Sequence, residues 1–163
     1  MKPRVEYPKV APGAMAAMGG LERYLADCGL DASLLDLVRL RASQMNGCAY
    51  CIDIHAKDAR ASGESEQRLY ALSAWHETPF YNARERAALA WTEALTLIAD
   101  SHAPDEVYES VRQQFSEKEL ADLTLAIVAI NGWNRLAIGF RTVPGTYPLK
   151  SHAMPNTARP VTR

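Results

Sequence analysis

The stretch "LTLAIVAI", Leu123–Ile130, decides the fold. An apolar run this short fits a buried strand as well as a buried helix, because it carries no usable periodicity. Its flanks choose between them. Ser116 and Glu119 stand three apart ahead of it, in the pattern of a capping box. Behind it, "NGWNRLAI" carries the apolar sequence on to Ile138, which is long for a strand, and the alanines favour a helix. One helix is therefore expected from about Glu117 to Ile138. It is apolar nearly all round between Leu123 and Ile130 and is expected at the centre of the core.

Working outward, the rest of the chain gives the same answer. Pro3, Pro8 and Pro12 predict an extended lead-in. Met15, Met18, Leu21 and Leu25 recur at helical spacing between Ala14 and Cys28, with a stop at Gly29 and a cap at Asp31. "SLLDLVRLRASQM" predicts a second helix, with Leu34, Leu37, Val38 and Met45 along its apolar side. Asn46-Gly47 ends it, and "CAYCIDIHAKDARASG" predicts a third that stops at Gly63. A short helix fits Glu64–Leu72. "ARERAALAWTEALTLIADS" reads as one long helix, with core candidates that include Ala87, Leu89, Ala90, Ala94, Leu97 and Ile98. "DEVYESVRQQF" follows Pro104 as an amphipathic helix. No alternating pattern is sustained, and neither Asn-Gly pair lies between two strand-like runs. The expected class is all-α, a bundle of about seven or eight helices.

From Arg141 the character changes. Four prolines and four basic residues with no acidic one predict an extended C-terminal arm over 141–163, either disordered or wrapped on a neighbouring subunit. The chain is expected to form one domain, 1–163, with its core over about 12–140. "VRLRASQMNG" (Val38–Gly47) and "LTLAIVAING" (Leu123–Gly132) share spacing at several positions, a hint of internal repetition.

Composition narrows function. With 48% hydrophobic and 23% charged residues among 163, wholesale disorder is excluded. A formal net charge of −1 gives no electrostatic case for nucleic acid or an anionic membrane. No run is expected to reach the roughly 20 apolar residues of a membrane span. "MKPRVEYPKVAPG" lacks the apolar stretch of a secretory leader. The expected location is the cytoplasm, where thiols stay reduced and a structural disulfide is disfavoured.

Chemistry concentrates in "NGCAYCIDIH", Asn46–His55. If the third helix starts near Cys48, both cysteines sit in its first turn, where unpaired N–H groups and the helix dipole favour a thiolate. His55 lies four residues after Cys51 and seven after Cys48, on the same helical face and placed to move a proton near neutral pH. Asp36, on the preceding helix, is placed to orient that imidazole. A structural metal site wants four ligands, and these residues offer three. A thioredoxin-type domain wants a βαβ pattern that is absent. Two buried cysteines beside a core histidine would not need one shared face. A working thiol pair is favoured. Tyr50, Ser43, Asn131 and Asn134 are candidates for lining the site. Cys28 reads as packing, His76, His102 and His152 as surface residues, and Trp91 and Trp133 as core or subunit interface.

The run "LVRLRASQMNGCAYCIDIHAKDAR" (Leu37–Arg60) resembles the core motif of the alkylhydroperoxidase D-like proteins, within the carboxymuconolactone decarboxylase superfamily. "ERAALAWTEALTLI" and "INGWNRLAIGFRTVPG" are similar to that family's later helices, so the likeness covers roughly Pro12–Gly145. It implies an all-helical fold that assembles into homo-oligomers, often trimers or hexamers. It also implies a thiol peroxidase or disulfide reductase that needs no metal or haem, acting on a hydroperoxide with an external dithiol or redox protein as reductant. The family's proton relay of one glutamate, two cysteines and a histidine falls on Asp36, Cys48, Cys51 and His55. Asp36 is one methylene shorter than the family glutamate, and Tyr50 stands where the best-known members have histidine. Two other functions fit the same residues: a redox-sensing or interaction module whose Cys48–Cys51 disulfide alters assembly, or decarboxylase-type chemistry on the same fold. The decarboxylase branch lacks the paired cysteines.

Overall fold

The structure, a computed structural model, describes residues 2–147. Among them are nine α-helices, one 3₁₀ segment and no strand. The helices are α1 (Tyr7–Val10), α2 (Pro12–Ala26), α3 (Ala32–Asn46), α4 (Ala49–Ala61), α5 (Glu66–Ala71), α6 (Ala83–Thr96), α7 (Ile98–Ser101), α8 (Asp105–Arg112) and α9 (Glu117–Phe140), with the 3₁₀ segment over Leu72–Glu77. The class is all-α, as the sequence predicts.

Helix α9 runs unbroken through "LTLAIVAI", so the strand alternative is gone. Its capping box is complete: Glu119 N–H donates to Ser116 Oγ (3.3 Å) and Ser116 N–H donates to Glu119 Oε2 (2.8 Å). The Ser116 N–H and the Ser116 hydroxyl (2.9 Å) both donate to the Glu119 carboxyl and, with Arg84 behind them, hold it down at about 2. By length and composition α9 reaches what a membrane crossing needs, which the sequence was not expected to contain. Ten of its residues are nevertheless buried against the bundle, the packing of a core helix.

The central helix is α3. It packs on α4, α6 and α9, and seven of its fifteen residues are buried. Leu37 and Val38 are both wholly inaccessible and belong to different apolar clusters. A helix buried on both flanks is a rigid mount, and it carries Asp36 and leads directly into the cysteines.

Five expectations need correction. The lead-in is not all extended: Pro8 opens the short turn α1 and Pro12 the first turn of α2, positions where a missing N–H costs nothing. The long helix after Asn82 breaks at Leu97 (φ −101°, ψ 37°), where Ser101 Oγ donates back to Ala94 O (2.6 Å) and the chain re-forms as α7. Leu97 and Ile98 are 48% and 53% exposed rather than core. Leu125 and Val128 are 38% and 56% exposed, on the side of α9 that its neighbours, α2, α3 and α6 among them, leave bare. Of the expected arm, residues 141–147 fold back over α4, and the part from 148 on lies outside the described residues, His152 included.

The two repeated segments meet in space, Asn46 Nδ2 donating to Asn131 Oδ1 (3.0 Å). The likeness ends there. Gly47 adopts φ +67° and ends α3, whereas Gly132 lies inside α9 with its Cα against Met18, where an added Cβ would sit 3.2 Å from Cε.

Candidate active site

The site begins with a turn. Gly47 takes the left-handed conformation that glycine adopts without strain. The chain thus leaves α3 and enters α4 in two residues. Cys48 becomes the N-cap of α4, with its own N–H donating to Ser43 O (3.0 Å). Its Sγ accepts the N–H of Cys51 (3.4 Å). This is the first-turn position that the sequence predicts for the pair.

Both thiols are free and buried. Cys48 is lowered to about 7, chiefly by a hydrogen bond from the Cys51 thiol, then by backbone N–H groups of Cys51 and Tyr50 and by the Asn134 amide, all against a desolvation cost. The Cys51 thiol is pushed up, first because it is the donor to Cys48 and then by burial. The negative charge belongs on Cys48, since the helix N-terminus serves that sulfur. The pair therefore holds a single shared proton once Cys48 has ionised.

The environments of the two sulfurs differ. Cys51 lines a cavity of about 620 Å³, together with Tyr50, His55 and Asp36. Cys48 sits behind it, 1% exposed. Three of the four residues expected to carry the chemistry thus face one space, and the fourth is bonded to one of them. His55 and Asp36 are half-buried.

Of the candidates for lining, only Tyr50 does so. Ser43, Asn131 and Asn134 lie behind the thiols, because their polar atoms are taken up in a buried network. Asn46 Nδ2 donates to Asn134 Oδ1 (2.8 Å) as well as to Asn131, and Asn134 Nδ2 donates to Ser43 Oγ (3.1 Å). Asn131 Nδ2 donates to Thr96 Oγ1 (3.1 Å) and Ile127 O (2.9 Å), and Ser43 Oγ donates to Arg39 O (2.7 Å). The network pins the Asn-Gly turn to α9 and thereby sets the position of Cys48.

Several wall residues gave no sign in the sequence. Glu22 accepts from Trp133 Nε1 (2.9 Å) through one oxygen and from Arg39 (3.0 Å) through the other, and all three line the cavity. Trp133 is therefore a wall residue, while Trp91 is core, donating to Thr124 Oγ1 (3.0 Å). Tyr7 and Tyr147 come from the two ends of the described chain. No motif joins these residues, because folding alone brings them together. His76 is exposed, stacked on Trp75, with Nε2 3.4 Å from Glu93 Oε2. Among the described residues no group of three or more metal-ligating side chains occurs.

Comparison with known proteins identifies relatives of this fold. Residues 11–94 match the model of the carboxymuconolactone decarboxylase family. The chain is 46% identical over 138 residues to the uncharacterized protein YdfG of Bacillus subtilis (strain 168), covering 85% of this chain and 94% of that one. A crystal structure from Agrobacterium tumefaciens, of a protein of unknown function named as a candidate antioxidant defence protein AhpD, superimposes with a TM-score of 0.87. It shares 44% identity, over 90% of this chain and 100% of its own. An uncharacterized peroxidase-related protein from Ralstonia eutropha JMP134, an AhpD core, shares the fold at 19% identity and a TM-score of 0.74, covering 85% of this chain and 74% of that one.

Proposed function

The chain belongs to the carboxymuconolactone decarboxylase superfamily as an AhpD-like member, and from that premise we propose that it is a thiol-dependent peroxidase. The observation that carries the reading is the Cys48–Cys51 pair at the start of α4, Cys48 Sγ accepting the Cys51 N–H, with Cys51 open to the cavity that His55 also lines. The antioxidant-defence name of its 44% identical structural relative agrees with it.

The reaction runs in three balanced steps. A proton passes from Cys51 to the Cys48 thiolate, leaving the negative charge on the sulfur that faces the cavity. Cys51 attacks the terminal oxygen of a hydroperoxide. The O–O bond takes the sulfur's electron pair, the alkoxide leaves as alcohol with a proton that His55 relays from solvent, and Cys51 becomes a sulfenic acid. Cys48 then displaces hydroxide, which departs as water, giving the Cys48–Cys51 disulfide. An external dithiol or redox protein reduces it by exchange and is itself oxidised. Asp36 serves as a positioning residue for His55. No metal or haem is required.

The same reading places the protein in a reducing cytoplasm and in a homo-oligomer, a trimer or hexamer. Support for assembly comes from Leu125 and Val128, exposed one turn apart on α9. Leu97 and Ile98, equally exposed, follow Thr96, whose hydroxyl accepts from Asn131 one turn further along. An apolar face of this kind calls for a cover.

Steady-state consumption of hydroperoxide with excess dithiol tests the function. Turnover by the wild type, and its loss in both Cys48→Ser and Cys51→Ser, is the expected result. Equal activity in all three proteins would refute it.

A further inference from the structure

The cavity has two halves of different origin. Helices α3 and α4 supply the reacting groups and Tyr50, while α9 and the chain-end segments supply the other rings. Four of its sixteen lining residues are aromatic, Tyr7, Tyr50, Trp133 and Tyr147, in a chain that is 8% aromatic. Three of these rings are held by contacts to neighbouring side chains. The Tyr7 ring packs on Phe140, centroids 5.4 Å apart. Trp133 is tied by its N–H to Glu22. Tyr147 donates its hydroxyl to Asp58 Oδ2 (3.2 Å), and Gly145 N–H donates to Asp53 Oδ2 (3.0 Å), so the segment after α9 is held on the thiol-bearing helix at two points. With that hydroxyl engaged, Tyr147 offers the cavity its ring.

Charge narrows the ligand further. The wall carries three carboxylates, Glu22, Asp36 and Asp58, and one guanidinium, Arg39, already paired with Glu22 at 3.0 Å. A carboxylate-bearing hydroperoxide would enter a negative space with its one cation engaged. The volume of about 620 Å³ is that of a site for an organic molecule. Hydrogen peroxide would leave most of it unfilled.

We propose, resting on the peroxidase reading, that the cavity selects hydroperoxides with an uncharged aromatic body, and that Tyr7 and Tyr147 are its specificity-determining residues. Ring–ring contact in offset or edge-on geometry holds the body. The hydroperoxide group is left to face Cys51, and the O–O cleavage proceeds as above.

Two measurements separate this proposal from the peroxidase reading. The first is binding of cumyl alcohol, which has the aromatic body and no O–O bond, to the oxidised protein by ligand-observed NMR, with benzoate as the anionic control. Cumyl alcohol is expected to bind, benzoate at least tenfold more weakly, and Tyr147→Ala to weaken cumyl alcohol by roughly three- to tenfold. Tyr147→Phe, which keeps the ring, is expected to restore it. The second is the ratio of rate constants for cumene hydroperoxide over hydrogen peroxide, which should fall by a similar factor in Tyr7→Leu and Tyr147→Ala. Absent cumyl alcohol binding, or a ratio unmoved by either variant, would overturn the proposal. Ring-dependent binding of cumyl alcohol without thiol oxidation by any hydroperoxide would overturn the peroxidase reading and leave the aromatic-selective cavity standing.

Discussion

The sulfur of Cys48 accepts the backbone N–H of Cys51 at 3.4 Å and is also the acceptor for the Cys51 thiol. Two bonds from one residue to one sulfur make the cysteines a single titrating unit. The rest of the chemistry follows from that asymmetry: the charge rests on the buried sulfur and the reach belongs to the other.

Thiolate absorbance near 240 nm, followed against pH, reads the asymmetry. The reduced Cys28→Ser protein, whose only thiols are the pair, is expected to gain one thiolate around pH 7, with Cys48 at about 7, and a second only under strongly alkaline conditions. Cys51→Ala removes the main cause of the depression and should move the first step up toward the ordinary thiol value of about 8.5. Stability follows with a definite sign. Cys48 is an acid depressed by folding, so its contribution is present above the unfolded value of about 8.5 and fades as pH falls through 7. Cys51, raised by folding, acts in the opposite sense above about 8.5. The urea midpoint should therefore climb from pH 7 to 8.5, and Cys48→Ser should flatten that climb. Two thiolates appearing together near 8.5 would contradict the coupling.

Asn134 is 1% exposed and joins Asn46, Ser43 and both sulfurs. Asn134→Leu should destabilise the fold by roughly 1–3 kcal/mol, since buried partners lose their bonds. It should also raise the first thiol step, because one donor to the Cys48 thiolate is gone. Chemical denaturation and the absorbance titration check the two effects separately. A variant that loses stability with the titration unmoved would confine Asn134 to a structural role.

Much of this was legible in the sequence, for local reasons. The capping box at Ser116–Glu119, the Gly47 turn and the Cys-X-X-Cys pair at a helix start all depend on residues within a few positions of one another. The break at Leu97 was not legible, because it depends on a single hydroxyl, that of Ser101, bonding back to Ala94. Nor was the outward face of Leu125 and Val128, since apolarity all round a helix does not say which side its neighbours leave bare. The wall of Glu22, Arg39, Trp133, Tyr7 and Tyr147 comes from five separate places in the chain, and only the packing of α2, α3 and α9 and the two chain ends makes it one surface.

Ser116 sets the start of the helix on which the site rests. Ser116→Ala removes the side-chain half of the capping box and should cost about 1 kcal/mol. Acid dependence has a separate signature. Glu119 is held at about 2 by Ser116 and Arg84, so its contribution is present above its ordinary value of about 4.5 and is lost as pH falls toward 2. The difference in unfolding free energy between wild type and Ser116→Ala should shrink across that window. A constant difference would assign the effect to the hydroxyl alone.

The exposed apolar face of α9 gives an assembly test that does not depend on activity. Sedimentation of the wild type should give a mass several times that of one chain, and Val128→Asp should lower it, since a carboxylate would have to be buried in the contact. Helical content should stay unchanged, because Val128 is 56% exposed in the single chain. An unaltered mass would place any assembly on another face.

The most direct test of the central claim is stopped-flow mixing of the reduced Cys28→Ser protein with substoichiometric cumene hydroperoxide, counting free thiols and alcohol formed. Two thiols lost and one cumyl alcohol produced for each hydroperoxide, far faster than with a free thiol, is the expected result. In Cys51→Ser the reaction should fall to the free-thiol rate, and in Cys48→Ser the product should stop at a trappable sulfenic acid on Cys51. Oxidation of the wild type no faster than a free thiol, or a fast reaction surviving in Cys51→Ser, would contradict it.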